Sequence, residues 1–349
     1  MKAAILEAQG VITYSDVDDP IPAAGFVRVQ VIATSICGSD IKRYKSGHRT
    51  YPMILGHECG GIIDAVGEDV DPGLIGKHVA VIPLVPCFKC YECQRGLFSA
   101  CTNYSFIGSR QAGCYADKVV LPLSNILVVP EQLSLKHVAL IEPSTVGRHM
   151  LAMADFKAGQ TAVVFGAGSI GLMVVQWLRI LKASMIICVD ISDNNLQAAL
   201  KLGAHVAINP ARQDLVSEVY KHTPDGADAS FEAAGAPQTL LQTVHVTRPR
   251  GKVICAGNQP VDKTIPLSFI EDLMRRELSV VGNHMSYSTP FPGTEWTETV
   301  AALIDGSLDM DSMISHNFSL SETPEVFTRI SKGELSYRKI LLFPADTRA

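Results

Sequence analysis

No apolar run in this sequence approaches the roughly 18 to 20 residues that span a bilayer, so no transmembrane helix is expected. Nor is there a block of basic residues: 30 lysines and arginines stand against 35 acids, for a net charge of −5. A nucleic-acid surface therefore has nothing to recommend it. The opening Met1-Lys2-Ala3-Ala4-Ile5-Leu6-Glu7 is too short and too soon acidic for a secretory signal, and the expected location is the cytoplasm. Without such a signal, nine cysteines in a chain of 349 residues suggest thiolate ligands and not disulfides. At that length and 47% hydrophobic content the chain can bury a full core, and it exceeds one ordinary domain of about 150 residues, so two are expected.

What is present is arranged around Thr161 to Asp190. An apolar run, Ala162 to Phe165, meets a turn with Gly166, Gly168 and Gly171 around Ser169 and Ile170. Leu172, Val175, Gln176, Leu178 and Leu181 then keep helical spacing, and a second apolar run, Met185 to Val189, ends on Asp190. This reads as strand, tight turn, helix and parallel strand, with glycines where a side chain would block the turn, a pyrophosphate or the helix-to-strand contact. Amides at the helix start would hold phosphates, and Asp190 would take both ribose hydroxyls. Ile191, Ser192 and Asp193 follow the acid, so no cation waits there for a 2′-phosphate and NAD is favoured over NADP.

Upstream, Ala3 to Leu6, Gly10 to Tyr14 and Phe26 to Ala33 read as short strands in a β-rich start. Between Pro86 and Cys101 the spacing is Cys87-x2-Cys90-x2-Cys93-x7-Cys101. Four soft thiolates that can converge suit a tetrahedral zinc with every position filled by protein, and an iron–sulfur centre is the other metal option. A helical stretch is expected over Lys136 to Met153, with Pro143 breaking or kinking it beside Glu142. Val206 to Ile208, Ala229 to Phe231, Val253 to Ala256 and Leu278 to Val281 read as further strands, with Leu196 to Leu202 and Leu215 to His222 as crossover helices. Arg338 to Phe343 is apolar enough to return to a sheet, which makes the nucleotide-binding unit an insertion.

Cys37-Gly38-Ser39-Asp40, Gly56-His57-Glu58, the four-cysteine lobe, Glu142-Pro143 and Gly166 to Gly171 with Asp190 occur in one order. In that order the sequence resembles the zinc-containing medium-chain alcohol dehydrogenases, more narrowly the sorbitol-dehydrogenase-like polyol dehydrogenases, from residue 1 to about 345. Finer stretches, Pro83 to Phe88, Phe106 to Arg110 and Met285 to Gly293 with Glu295-Trp296, resemble the branch acting on polyol phosphates of the galactitol-1-phosphate kind. Other relatives act on free polyols, arabitol phosphate and sugar acids. The resemblance implies an α/β protein: a β-rich GroES-like catalytic domain over 1–152 with a structural-zinc lobe at 86–102, an inserted Rossmann-type doubly wound parallel-sheet domain over 153–284 that binds NAD, and a return to the catalytic domain over 285–349. It also implies a homodimer or homotetramer, with a small-molecule polyol or polyol phosphate as substrate.

Carried over one position at a time, the resemblance implies a catalytic zinc held by Cys37, His57 and a carboxylate. Glu142 is expected as the direct ligand, with Glu58 close enough to exchange with it. Ser39 matches the family's proton-passing hydroxyl. Many relatives place a histidine soon after this motif, whereas Ile41, Lys42 and Arg43 follow here, which leaves Lys42 and His48 as stand-ins for the outer proton path. A phosphorylated substrate needs a cation of its own. Arg110 is the first choice, because a guanidinium binds phosphate through two parallel hydrogen bonds; the alternative is a surface arginine packing its stem on the lobe. Lys42, Arg43 and Arg148 are weaker choices. Tyr287, His284 and Trp296 are candidates for the substrate mouth.

Overall fold

The computed structural model describes residues 1–259 and 263–344. The five residues after 344, part of the expected C-terminal return, lie outside the described residues. The chain divides into two compact units, one comprising Met1–Glu142, Ser288–Asp305 and Met313–Ala349, the other Pro143–Tyr287 and Gly306–Ser312.

The first unit is built on a seven-stranded sheet. Ile126–Val128, His78–Val81, Glu58–Val66, Phe26–Ser35, Lys339–Phe343 and Ile314–Ser319 lie side by side across it, and Lys118–Pro122 also pairs with Phe26–Ser35. Alternation decides which face each strand buries: Val27, Val29 and Val31 are fully buried and pack with Cys59, Ile63, Val79 and Val81. A second cluster joins Leu6, Ile41, Tyr44, Tyr115, Phe327 and Leu342. The expected last strand does return, from far down the chain: Leu341 and Leu342 pair antiparallel with Ser35 and Thr34. Ser35 thereby has a strand on either side, with Glu58 opposite it on one and Leu341 on the other.

The second unit carries six parallel strands in the order Val206–Ile208, Met185–Val189, Thr161–Phe165, Ala227–Glu232, Thr247–Cys255 and Ser279–Gly282. Numbered along this unit the order is 3-2-1-4-5-6, that of a doubly wound nucleotide-binding sheet. Thr161–Phe165 and Met185–Val189, inside the sheet, read as continuous apolar runs because helices cover both faces of such a sheet. The helices Ser169–Ile180, Asp193–Leu202, Leu215–His222, Pro237–Val246 and Ser268–Arg276 connect them.

One local expectation is corrected. The interruption in the expected helix over 136–153 falls at Ala139 and Leu140, between helices Leu135–Val138 and Ile141–Met153. Pro143 sits in the first turn of the second helix, where its missing N–H costs no hydrogen bond, so it neither breaks nor kinks the chain beside Glu142. Among the described residues, no helix is long and apolar enough to cross a membrane.

Candidate active site

Helix Gly38–Ser46 starts at a capped cysteine. The Cys37 Sγ accepts from the Ser39 amide at 3.5 Å, and the Asp40 carboxylate accepts from the Cys37 amide at 3.4 Å, a reciprocal box that fixes the first turn. Ile41 and Tyr44, three apart, turn the helix's apolar side into the core. His57 follows Gly56, whose φ of 91° and whose closeness to the Tyr115 ring both demand glycine, since a Cβ would run into that ring. The ring of His57 packs edge-on to Phe106, with centroids 5.5 Å apart.

These two segments bring ligand atoms of Cys37, His57 and Glu58 within 4.8 Å of one another. A thiolate, an imidazole and a carboxylate are the donors a catalytic zinc takes, and their spread fits a single ion. Burial pushes the Cys37 thiol up to about 11, with the Glu58 and Asp40 charges adding to the rise. An ion that takes a thiolate must therefore displace a proton there. Burial also works against a charge on Glu58, yet Lys339 and His57, with hydrogen bonds from Lys339 and Ser35, hold its carboxyl below the ordinary range. The Lys339 ammonium, equally buried, is held above its usual value by Glu58 and also donates to the Ile36 carbonyl at 3.3 Å. Glu142 lies in the same electrostatic neighbourhood: burial lifts its carboxyl to about 8, opposed by His57 and reinforced by Glu58 and Cys37. The tight ligand group contains Glu58 and does not include Glu142.

Ser39 stands where a proton could pass. Its hydroxyl donates to Cys37 Sγ at 3.3 Å and accepts from Arg43 Nη1 at 2.7 Å. Arg43 is held in turn by Asp40 at 3.1 Å, and Asp40 accepts from Tyr115 at 2.8 Å and lies 3.6 Å from His57 Nδ1. Arg43, and neither Lys42 nor His48, is the residue that touches Ser39; His48 Nδ1 lies 2.9 Å from the Thr50 carbonyl oxygen.

The four cysteines of the lobe also converge, with sulfurs within 4.8 Å of one another and Cys90 and Cys101 Sγ 3.8 Å apart. Tetrahedral zinc with Zn–S bonds of ~2.3 Å requires sulfurs ~3.8 Å apart, so the group fits one ion. Backbone amides already point at these sulfurs: Cys87 N donates to Cys101 and Cys90 N to Cys87, each at 3.3 Å. Amide hydrogen bonds from Cys93 and Thr102 bring Cys90 down to about 6, whereas burial pushes Cys93 up to about 12.

In the second unit, a cavity of ≈ 650 Å³ is lined by Gly166, Gly168, Asp190, Ile191, Asn195 and Thr239, among others. A Cβ on Gly168 would meet nothing, which leaves the backbone open to a bound group, whereas one on Gly171 would strike the Gly166 carbonyl and part helix from strand. Asp190 accepts from the Ala167 amide at 2.6 Å and the Ser192 amide at 2.7 Å, which aims the carboxylate at the turn. These features fit a dinucleotide. A cation does stand near this end, from a different loop: Arg212 pairs with Asp193 at 2.7 Å.

The expected substrate residues fare differently. Arg110 is exposed, its guanidinium 3.6 Å over the Tyr104 ring and donating to the Tyr104 carbonyl at 2.6 Å. Arg148 lies over the Trp177 ring at 5.9 Å. Tyr287 and Trp296 are buried, and His284 is exposed. Arg43, Asp40, Tyr115 and Lys339 were missing from the expected catalytic group. Arg43 carries a signal, standing one helical turn after Ser39. Lys339, 281 residues from Glu58, carries none.

A family model described as a zinc-binding dehydrogenase matches residues 169–305, and one described as an alcohol dehydrogenase GroES-like domain matches residues 23–131. Galactitol 1-phosphate 5-dehydrogenase of Escherichia coli (strain K12) is 33% identical over 352 residues, covering 99% of this chain and 100% of the relative. Sorbitol dehydrogenase of Bacillus subtilis (strain 168) is 32% identical over 353 residues, with 99% and 97% covered. The crystal structure of galactitol-1-phosphate dehydrogenase from Escherichia coli superposes with a TM-score of 0.94 at 32% identity, over 99% of this chain and 100% of that one.

Proposed function

The chain belongs to the zinc-containing medium-chain alcohol and polyol dehydrogenases, and on that premise we propose that it oxidises a secondary alcohol of a polyol phosphate, of the galactitol 1-phosphate kind, to a ketose phosphate with NAD as hydride acceptor. The observation that carries this reading is the meeting of Cys37, His57 and Glu58 beside Ser39, in a chain whose second unit fits a dinucleotide. When bound, zinc supplies Lewis acidity toward an alcohol and the nicotinamide supplies the hydride acceptor.

The protein's own part is holding and moving. Cys37, His57 and a carboxylate would hold the catalytic ion, with Glu58 in reach and Glu142 beside it. His57 Nδ1 is buried with no hydrogen-bond partner among the described residues, the Asp40 carboxylate standing 3.6 Å from it. Cys87, Cys90, Cys93 and Cys101 would hold the structural ion. Ser39 Oγ would receive the substrate's hydroxyl proton: its hydrogen is directed at Cys37 Sγ and Arg43 fills one lone pair, so one lone pair remains. A guanidinium does not accept a proton at working pH, so as Ser39 takes the substrate's proton it would release its own hydrogen to a solvent water and not to Arg43. Gly166, Gly168, Ser169, Ile170 and Gly171 would seat the pyrophosphate at the start of helix Ser169–Ile180, and Asp190 would take the ribose.

Pairing of the chain with a second copy is supported by the sheet edge. Ser279–Gly282 ends its sheet with Val280 exposed, and Leu267, Ile270 and Met274 are exposed on and beside the adjoining helix Ser268–Arg276.

A screen for NADH formation over polyols, polyol phosphates and sugar acids, with and without metal chelation, tests the reading. Turnover of a polyol phosphate that chelation abolishes is expected. Faster turnover of a free polyol or sugar acid would move the substrate assignment to that class.

A further inference from the structure

The helix that begins at Cys37 and the turn after it carry Lys42, Arg43, Lys45 and Arg49 against a single acid, Asp40, in a protein whose net charge is −5. Asp40 is fully buried and already occupied by Arg43, Tyr115 and the Cys37 amide, so it does not neutralise the others. Among the described residues, no carboxylate pairs with Lys42, Lys45 or Arg49, all three of which are exposed. The result is a run of exposed positive charge along the segment that follows Cys37, of which Arg43 reaches the proton-passing hydroxyl.

Arg43 differs from the other three. Its side chain is 22% exposed and is pinned through Nη1 alone, to Ser39 at 2.7 Å and Asp40 at 3.1 Å. Pinning one nitrogen of a planar fork fixes the direction of the remaining donors, Nε and Nη2, which have no protein partner among the described residues. Arg110, by contrast, is already stacked on and bonded to Tyr104.

We propose that Arg43 is the specificity-determining contact for the substrate's anionic group, a phosphate ester or a carboxylate, with Lys42, Lys45 and Arg49 drawing the anion toward it. The proposal rests on the dehydrogenase reading and adds to it which residue selects a charged polyol over a neutral one. One side chain then serves two atoms of the same substrate. Nη1 keeps Ser39 turned to the reacting hydroxyl, and the free edge of the guanidinium takes the anion within the span of a short polyol chain.

Steady-state kinetics on the zinc-loaded enzyme test this, using galactitol 1-phosphate, L-idonate and galactitol at fixed ionic strength with the wild type, R43Q, R43K and the double variant K45Q/R49Q. The wild type is expected to favour one of the two anions, which identifies phosphate or carboxylate as the recognised group. R43Q should lower kcat for all three substrates alike, because Ser39 loses its Nη1 contact, and should in addition raise KM for that anion by roughly 10- to 100-fold, the scale of a lost charge-assisted fork, while KM for galactitol moves by less than about threefold. R43K, keeping charge without the fork, should fall between. K45Q/R49Q should flatten the salt dependence of kcat/KM for the anion alone. If R43Q lowers kcat/KM for anion and galactitol by one common factor, Arg43 serves only to orient Ser39 and the proposal is overturned while the dehydrogenase reading stands. A wild type that favours neither anion overturns the proposal together with the phosphorylated-substrate reading. Should R43Q fail to fold by circular dichroism, R43K decides the matter by the same ratio, and by whether inorganic phosphate, as a competitive inhibitor, loses affinity.

Discussion

Replacing Lys339 by methionine removes the only ammonium that meets Glu58 among the described residues, and the structure sets the size of the consequence. Lys339 and Glu58 have side chains 2% and 1% exposed, so neither charge is screened by water. Ser35 donates to the same carboxylate oxygen, but a hydroxyl brings no charge. Breaking a buried pair by removing one partner costs ~3–5 kcal/mol, because the other charge stays desolvated and uncompensated. For a unit of this size each kcal/mol is worth ~2–4 °C, so K339M should lower Tm by on the order of 6 to 20 °C. The assay is calorimetric or circular-dichroism melting, with and without chelation. The loss should be smaller in zinc-loaded protein, where a cation beside Glu58 replaces the missing charge. The double variant K339M/E58Q should be more stable than K339M alone, since neither charge is then stranded. A K339M protein within about 1 kcal/mol of wild type in the metal-free state would refute the reasoning that this pair governs the site's resting electrostatics.

Three further outcomes rest on the same geometry. D190S removes the carboxylate that would repel a 2′-phosphate and leaves Arg212 nearby, so the kcat/KM ratio of NADP to NAD should rise by about 100-fold or more and fall back in D190S/R212A; an unchanged ratio contradicts the ribose assignment. V280K places a charge on the exposed sheet edge and should shift sedimentation toward monomer, whereas an unaltered profile would place the subunit contact elsewhere. Burial raises the Glu142 carboxyl from 4.5 in the unfolded chain to about 8, so its contribution to stability is complete below 4.5 and disappears as pH rises through 8. Urea melts of metal-free protein should therefore weaken progressively between about pH 4.5 and 8 and level off above that, and E142Q should lose that slope; a slope identical in E142Q points to another group.

Much of the second unit was legible because its signals are local. An apolar run, three glycines at fixed spacing and an acid at a strand end are all dictated within about thirty residues of chain, and Val206–Ile208 and Leu215–His222 have the bounds their periodicity suggests. The cysteine lobe was legible for the same reason. Short motifs also located Cys37, Ser39, His57 and Glu58, but they said nothing of what stands behind each side chain. The strand register that faces Glu58 with Ser35, and brings Lys339 across from the far end of the chain, is a tertiary fact without sequence periodicity. Helix Gly38–Ser46 was missed because its start is capped by a cysteine in place of the usual serine or aspartate, and with it went the Ser39–Arg43 contact. Pro143 misled because proline is a helix breaker in the interior and a helix starter in the first turn, and only the structure tells which position it occupies.

Metal content measured beside turnover tests the central claim most directly. Wild-type protein should carry two zinc ions per chain, and C37S should carry one, because the lobe of Cys87, Cys90, Cys93 and Cys101 is untouched. C37S should also bind NADH with unchanged affinity, read by nicotinamide fluorescence, while forming no NADH from any polyol. A C37S protein that keeps both ions, or turns over at the wild-type rate, would contradict the assignment of Cys37, His57 and a neighbouring carboxylate as the seat of the reaction.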